Sequence, residues 1–61
     1  MPKYNLTVQD KKTREVCIEG FDTADWTEEL EEDLVNPNSP TEVLAWLKAQ
    51  DDTQVEFLEI E

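Results

Sequence analysis

The sequence has no histidine, one cysteine and one glycine among its 61 residues. Without histidine, zinc would lack its usual nitrogen ligand, and acid–base catalysis would lack the side chain that most often performs it. Because Cys17 is the only cysteine, an intramolecular disulfide is excluded. A chain this short is only marginally able to bury a core, so packing or a partner must stabilise it.

Basic residues are also scarce: five Lys and Arg stand against 16 Asp and Glu, a formal net charge of −11. Residues 1–14 carry four bases and one acid, a net charge of +3, whereas residues 15–61 carry fifteen acids and Lys48, a net charge of −14. This excess of acid repels phosphate groups, so we expect no direct binding to nucleic acid and none to an anionic membrane.

Apolar residues make up 38% of the chain and recur at regular periods, which indicates a folded domain rather than a disordered acidic tail. We expect a single domain over residues 1–61. The sequence shows no signal peptide, transit peptide or long apolar run. The expected location is therefore the cytoplasm, where the thiol would stay reduced.

Apolar and polar residues alternate over positions 4–9 and again over positions 15–19, a period typical of half-buried strands. A polar break at positions 10–13 has the length of a hairpin turn, so residues 3–20 are predicted to form an antiparallel hairpin. In the second strand Val16 and Ile18 form the apolar set. The strand is expected to end near Gly20, with a bulge or a positive φ there.

A first helix is predicted after Asp22 or Thr23, either of which suits the N-cap. Trp26, Leu30 and Leu34 fall on one narrow stripe at helical spacing. We expect this stripe to face the sheet, with Trp26 in the core.

A second helix is predicted after the break at positions 36–38, where Ser39 suits the N-cap, Pro40 the first turn and Glu42 the return contact of a capping box. The helix carries a broad apolar face of Val43, Leu44, Trp46 and Leu47. Trp46 lies at the margin of that face, so it is expected either in the core or partly exposed.

After a chain reversal at residues 51–53, a third strand is predicted over Val55 to Ile60. Its adjacent Phe57 and Leu58 must point to opposite faces unless a bulge intervenes. The predicted fold is a small α+β domain of order β-β-α-α-β, a three-stranded sheet with two helices packed on one face. The strand order stays open; placing the last strand beside the first would make the first strand central.

Reactive chemistry is not expected from these residues. Cys17 has no histidine or cation beside it in the strand to activate its thiol, and we interpret it as a small buried or half-buried apolar residue. No acids fall at the spacing of a calcium loop, and two thin layers leave little room for a catalytic cleft. We therefore predict no enzymatic activity, no catalytic residue, no metal and no cofactor.

The segment 25–35, DWTEELEEDLV, has six acids and no base in eleven positions. On a helix, its last five carboxylates rise along about 7.5 Å, a charge density comparable to that of duplex DNA. Such a run is either a solvated face or a surface for a basic partner. The candidate partner-binding residues are these acids, together with Trp46 as an aromatic anchor: Asp25, Glu28, Glu29, Glu31, Glu32, Asp33 and Trp46.

In size, charge and lack of catalytic motifs the chain resembles phage- or mobile-element-encoded inhibitors that imitate nucleic acid. Such anti-defence proteins block restriction enzymes, CRISPR effectors, repair glycosylases or other nucleic-acid-binding proteins. The resemblance implies a non-catalytic inhibitor whose partner is a basic nucleic-acid-binding protein. The alternative is a small structural or adaptor module, or a homodimer, that associates through apolar surface or a sheet edge.

Overall fold

The computed structural model describes residues 2–50 and 52–61. It confirms the predicted α+β fold, with three strands, two helices and a short 3₁₀ turn before the first helix. The elements are β1 (Lys3–Asp10), β2 (Val16–Asp22), the 3₁₀ turn (Thr23–Trp26), α1 (Thr27–Glu32), α2 (Pro40–Ala49) and β3 (Val55–Ile60).

The sheet is antiparallel in the order β2-β1-β3, so the first strand is central and β3 lies beside it, an order that the sequence had left open. Leu6 and Val8 of β1 are buried on the face that the helices cover. They form one core cluster with Phe21, Val43 and Leu47. The core therefore lies between the inner face of the sheet and α2.

A bulge in β3 removes the conflict between Phe57 and Leu58. Thr7 pairs with Glu59, whereas the next residue, Val8, pairs with Phe57, so Leu58 is the extra residue on β3. The bulge shifts the alternation by one residue, and Phe57 and Ile60 both pack against the core.

The predicted end of β2 is wrong. The strand continues through Gly20, which pairs with Asn5 and has no positive φ, and it ends at Asp22. The bulge of this sheet lies in β3 instead. Continuation of the strand brings Phe21 opposite Tyr4 and into the core cluster.

The apolar residues of β2 that were expected to be half-buried, Val16 and Ile18, lie on the face of the sheet that the helices do not cover. Leu6 opposes Glu19 and Val8 opposes Cys17, so the inner face of β2 carries Glu19, Cys17 and Phe21. Val16 and Ile18 point to the opposite face of the sheet, where they are 55% and 71% exposed.

The first helix begins and ends differently from the prediction. Asp22 is the N-cap, with its Oδ1 accepting from the Ala24 N–H at 2.9 Å, but the turn it caps is 3₁₀. The α-helix ends at Glu32, and Leu34 takes a left-handed φ of 57°. The Val35 N–H donates to the Leu30 carbonyl at 2.8 Å, which closes a Schellman motif.

This ending corrects the predicted stripe. Leu30 is buried, but Leu34 is 89% exposed because its left-handed conformation turns it away from the sheet. Val35, one residue later, packs against the core in its place.

The second helix matches the prediction closely. Ser39 is the N-cap, with its Oγ accepting from the Glu42 N–H at 3.3 Å, and Pro40 is the first residue of the helix. The predicted return contact is absent: the Ser39 N–H donates to the Asn36 carbonyl at 3.1 Å. The apolar face is buried at Val43 and Leu47 and half-buried at Leu44 and Trp46.

Side-chain hydrogen bonds attach the loops to the sheet. The Tyr4 hydroxyl donates to the Pro37 carbonyl at 2.7 Å, which fixes the turn between the helices over β1. Asp51, part of the predicted reversal before β3, lies outside the described residues. Its neighbour Asp52 accepts at Oδ1 from the Gln54 and Val55 N–H groups at 2.7 and 3.2 Å.

Candidate functional site

An open groove of about 620 Å³ lies between β2, the 3₁₀ turn and the two helices. Apolar side chains form its floor and two tryptophans line it, and the volume lies within the range of ligand sites. These lining residues are Leu6, Phe21, Leu47 and Phe57 with Trp26 and Trp46.

The short first helix accounts for the groove. α2 packs against β3, whereas α1 ends after six residues. Over β2, the cover is the ring of Trp26 stacked on Phe21, with centroids 6.1 Å apart and planes 18° apart. Because α1 stops before it covers this end of the sheet, a groove remains above the buried floor, and Trp26 at its side stays exposed.

The two tryptophans meet edge to face, with ring centroids 6.0 Å apart and planes at 69°. The core position predicted for Trp26 is wrong: its side chain lies at the edge of the core and is 42% exposed. Trp46 is half-buried, and its Nε1 donates to the Asp33 Oδ2 at 2.7 Å. This hydrogen bond fixes one indole ring and one carboxylate relative to each other.

Carboxylates surround the apolar floor, and no lysine or arginine is among the lining residues. The carboxylates come from β2, α1, the end of α1 and the loop before β3: Glu19, Glu29, Glu32, Asp33 and Asp52. We refer to the apolar floor and these five carboxylates together as the acid-rimmed groove.

The predicted site residues divide into two sets. Glu29, Glu32, Asp33 and Trp46 line the acid-rimmed groove together. The remaining three are exposed but lie away from it: Asp25, Glu28 and Glu31. Asp25 lines a separate shallow depression beside Lys3 and Tyr4.

The lining residues that sequence reasoning missed include two acids and a tryptophan, namely Glu19, Asp52 and Trp26. Only Glu19 had a local signal, since it lies two residues before Phe21 and shares its strand face. The other two depend on how the 3₁₀ turn and the loop before β3 pack, which no periodicity encodes.

Few of these charges are compensated within the protein. Among the described residues there is a single ion pair, between Lys3 Nζ and Asp22 Oδ2 at 4.0 Å, and it involves no acid of α1. The bases of the hairpin lie near its loop, where Lys11 Nζ donates to the Asp52 carbonyl at 2.6 Å. Lys11 thus partly offsets the charge of Asp52, whereas Glu19, Glu29, Glu32 and Asp33 have no ion pair with a base among the described residues.

Two aspartates have lowered pKa values. The N–H groups of Gln54 and then Val55 lower the pKa of Asp52, because both donate to the ionised carboxylate. The N–H groups of Thr13 and then Lys12 lower the pKa of Asp10 in the hairpin turn. Asp52 thus holds a negative charge at the groove under mildly acid conditions as well.

Cys17 is exposed, and the expected buried or half-buried position is wrong. Its strand face is the inner one, but it lies towards the hairpin loop, beyond the cover of the helices. Within residues 2–50 and 52–61, no three His, Cys, Asp or Glu side chains converge as metal ligands would. No helix in this part of the chain is long and apolar enough to span a membrane.

Comparisons with protein-family models, with curated proteins and with solved structures each gave no match. Function is therefore inferred from the fold and from the surface features described above. Together these define a small acidic α+β domain with an aromatic groove bordered by carboxylates.

Proposed function

We propose that this protein is a non-catalytic inhibitor that binds the basic nucleic-acid-binding surface of a larger protein. The observation that carries the proposal is the acidic surface of α1. All of its carboxylates are exposed, and none forms an ion pair with a base among the described residues. They are Glu28, Glu29, Glu31, Glu32 and Asp33.

Folding stability accounts for only part of this arrangement: Glu28 and Glu29 lie in the first turn, where the helix dipole favours acids, and Asp33 accepts from Trp46 Nε1. The helix has no Lys or Arg at i+4 to pair with its acids, and Asp33 lies at the C-terminal end, where the helix dipole favours cations. In a chain of net charge −11, further acids also add self-repulsion. A binding role accounts for a feature that costs folding free energy.

The mechanism is steric and electrostatic occlusion. Carboxylates displayed along α1 attract the Lys and Arg side chains that a partner uses to hold phosphates, and this attraction accelerates association. The partner's channel is then filled by a folded domain, and nucleic acid is excluded without any covalent chemistry.

A charge-neutralising variant tests the proposal. Partners are sought in a panel of purified DNA-binding enzymes, including a restriction endonuclease, a repair glycosylase and an RNA-guided nuclease, and inhibition is measured between 50 and 300 mM NaCl. Inhibition should weaken steeply as salt rises. Inhibition should also weaken by at least about 30-fold when four acids of the α1 segment are changed to amides, because each substitution removes an ionic contact. The four substitutions are Glu28→Gln, Glu29→Gln, Glu32→Gln and Asp33→Asn.

The matched control changes the net charge by the same amount elsewhere. Four exposed acids away from α1 serve for this: Glu15, Glu56, Glu59 and Glu61, each changed to Gln. Inhibition by the control variant should weaken by a few-fold at most, because only the long-range electrostatic field of the protein changes. Full inhibition by the α1 variant, or equal losses in both variants, would refute the proposal.

One observation favours the adaptor or homodimer alternative. β2 is an edge strand with Val16 and Ile18 exposed on its outer face. Asn5 exchanges both backbone hydrogen bonds with Glu61 on the β3 side, so alternate residues bond towards β2. Val16, Ile18 and Gly20 therefore direct their N–H and C=O groups to the free edge, where another strand can pair.

Sedimentation of the isolated protein separates the two functions. A dimer at micromolar concentration that strengthens in sulfate and dissociates on Ile18→Lys would support edge pairing. A monomer at all salt concentrations supports the inhibitor.

A further inference from the structure

We infer that the acid-rimmed groove receives an arginine and an adjacent apolar side chain from a basic segment of the partner. The inference rests on the proposed function for the partner being a basic protein. It adds that recognition centres on this groove, and that an apolar side chain enters it beside the charge.

The floor of the groove requires an apolar contribution. Trp26 remains 42% exposed, and the half-buried Trp46 and Phe57 line the same groove. Covering such aromatic surface with an apolar side chain removes it from water and stabilises the complex. A basic segment without apolar side chains would leave this aromatic surface exposed to water.

The rim requires a cation. Five carboxylates line the groove without a lysine or arginine among the lining residues. An apolar occupant alone would remove water from these carboxylates and leave them unpaired, which is costly. The occupant must therefore bring positive charge together with its apolar group.

Arginine fits both requirements better than lysine. Its planar guanidinium stacks on an indole face and donates to a carboxylate in the same pose, whereas an ammonium group acts as a hydrated point charge. Trp26 and Trp46 line the same groove as Glu29, Glu32 and Asp33, and the indole N–H of Trp46 is hydrogen-bonded to Asp33. The groove therefore discriminates between two cations of equal charge.

The groove is largely organised before binding. Asp33 Oδ2 accepts from Trp46 Nε1 at 2.7 Å, and the Trp26 ring stacks on Phe21 with centroids 6.1 Å apart. Fixed rings lower the entropy that binding must remove. At about 620 Å³ the groove has the size of a ligand pocket. It accommodates side chains rather than a whole helix, which is about 10–12 Å wide with its side chains.

Synthetic peptides test this directly. Three nine-residue probes of equal charge alternate arginine with leucine, arginine with serine, and lysine with leucine. Affinity is measured by calorimetry at 50 and 300 mM NaCl, and the indole N–H resonances of Trp26 and Trp46 are followed by NMR. At 300 mM NaCl the arginine–leucine probe should bind at least about 10-fold more tightly than either other probe and shift both resonances.

Groove variants of the protein complete the test. Gln50 is an exposed groove residue, and Gln50→Arg brings a positive charge into the groove without removing a carboxylate. It should weaken binding of the arginine–leucine probe by about 10-fold. The control Ala45→Arg adds the same charge at an exposed position of α2 that does not line the groove. It should weaken binding of the arginine–leucine probe by only about 2-fold. Thermal melts verify that both variants fold.

The outcomes separate this inference from the proposed function. The groove inference would be overturned if the arginine–leucine and arginine–serine probes bound equally, or if Gln50→Arg and Ala45→Arg weakened binding equally. Binding would then be due to diffuse charge alone. If the peptide results hold but no nucleic-acid-binding enzyme is inhibited, the proposed function fails while the groove stands. If inhibition requires the α1 acids and is unchanged by Gln50→Arg, the inhibitor stands and the groove inference fails.

Discussion

At the residue scale, Leu34 occupies a position that suits another amino acid. Its φ of 57° places it at the left-handed residue of a helix C-terminus, where glycine or asparagine is usual. A leucine there bears the strain of its Cβ, and its side chain is 89% exposed. Helical spacing alone assigned it to the apolar stripe, because no glycine marked the end of the helix.

Leu34→Gly should therefore stabilise the protein by about 0.5–1 kcal/mol, since glycine adopts this φ without steric cost. Urea denaturation at pH 7 measures the effect. Leu34→Ala is the control, because alanine keeps the Cβ and should not reproduce the gain. A glycine variant less stable than the parent would contradict the role assigned to this φ.

The turn carboxylate of Asp10 makes stability depend on pH. Its Oδ1 accepts from the Lys12 and Thr13 N–H groups at 2.8 and 2.9 Å, and the Thr13 bond is the larger cause of its lowered pKa. Because the folded pKa lies below the unfolded value of about 3.9, the ionised form stabilises the fold above that pH. This contribution is lost as the pH falls through the folded pKa.

Asp10→Asn should accordingly be less stable than the parent at pH 7, and the difference should shrink below about pH 4. Urea denaturation at several pH values checks this, and carboxyl NMR titration of the parent checks the lowered pKa. A stability difference that is constant from pH 7 to pH 3 would rule out the ionised carboxylate as the cause.

At the scale of elements, local signals were sufficient for some parts of the fold and insufficient for others. α2 was predictable because Ser39 and Pro40 mark its start within the sequence itself. The facing of β2 was not, since Val16 and Ile18 alternate as regularly as Cys17, Glu19 and Phe21. The choice between the two sets is made by pairing with β1, where a shift of one residue exchanges the faces.

In the candidate site, too, some residues could be predicted from local sequence and others could not. The acids of α1 are contiguous in sequence and were recognised from it. The groove joins them to Glu19 of β2, Trp26 of the 3₁₀ turn and Asp52 before β3. Only the folded chain brings these side chains together, so only Trp46 and the acids of the α1 segment could be predicted.

The N-cap of α2 gives a test at this scale. Ser39 Oγ accepts from the Glu42 N–H at 3.3 Å, and Ser39→Ala removes that acceptor, so we expect a loss of about 1 kcal/mol in the free energy of unfolding. Urea denaturation measures it. Ser39→Asp retains a capping oxygen and should recover most of the loss, which a defect in packing would not permit.

At the scale of the whole molecule, charge is unevenly distributed along the chain. The net charge is −11, the described residues contain one ion pair, and the bases concentrate before residue 15. Within a domain of 33 × 19 × 18 Å, the acids lie close enough to repel one another across the fold.

Added salt should therefore stabilise the free protein. Raising NaCl from 20 to 500 mM screens the repulsion, and a gain of about 1 kcal/mol would raise the melting temperature by about 4–8 °C in a domain of this size. Calorimetry checks this, and KCl should act equally. An unchanged or lower melting temperature would mean that self-repulsion is not a significant cost of this fold.

Salt is expected to have opposite effects on partner binding and on the stability of the free protein. Salt is expected to weaken binding to a basic partner while it stabilises the free domain. A loss of binding at high salt then cannot be attributed to unfolding.

The exposed thiol of Cys17 provides a chemical handle at one defined point. It lies two residues from Glu19 on the same strand face, about 7 Å along the strand from the border of the groove. A fluorophore attached through this sulfur would label the protein at a single site and sense solvent at the groove entrance. Disulfide tethering of thiol-bearing fragments to the same sulfur would present them to the groove one at a time, so its chemical preferences can be surveyed before any natural partner is known.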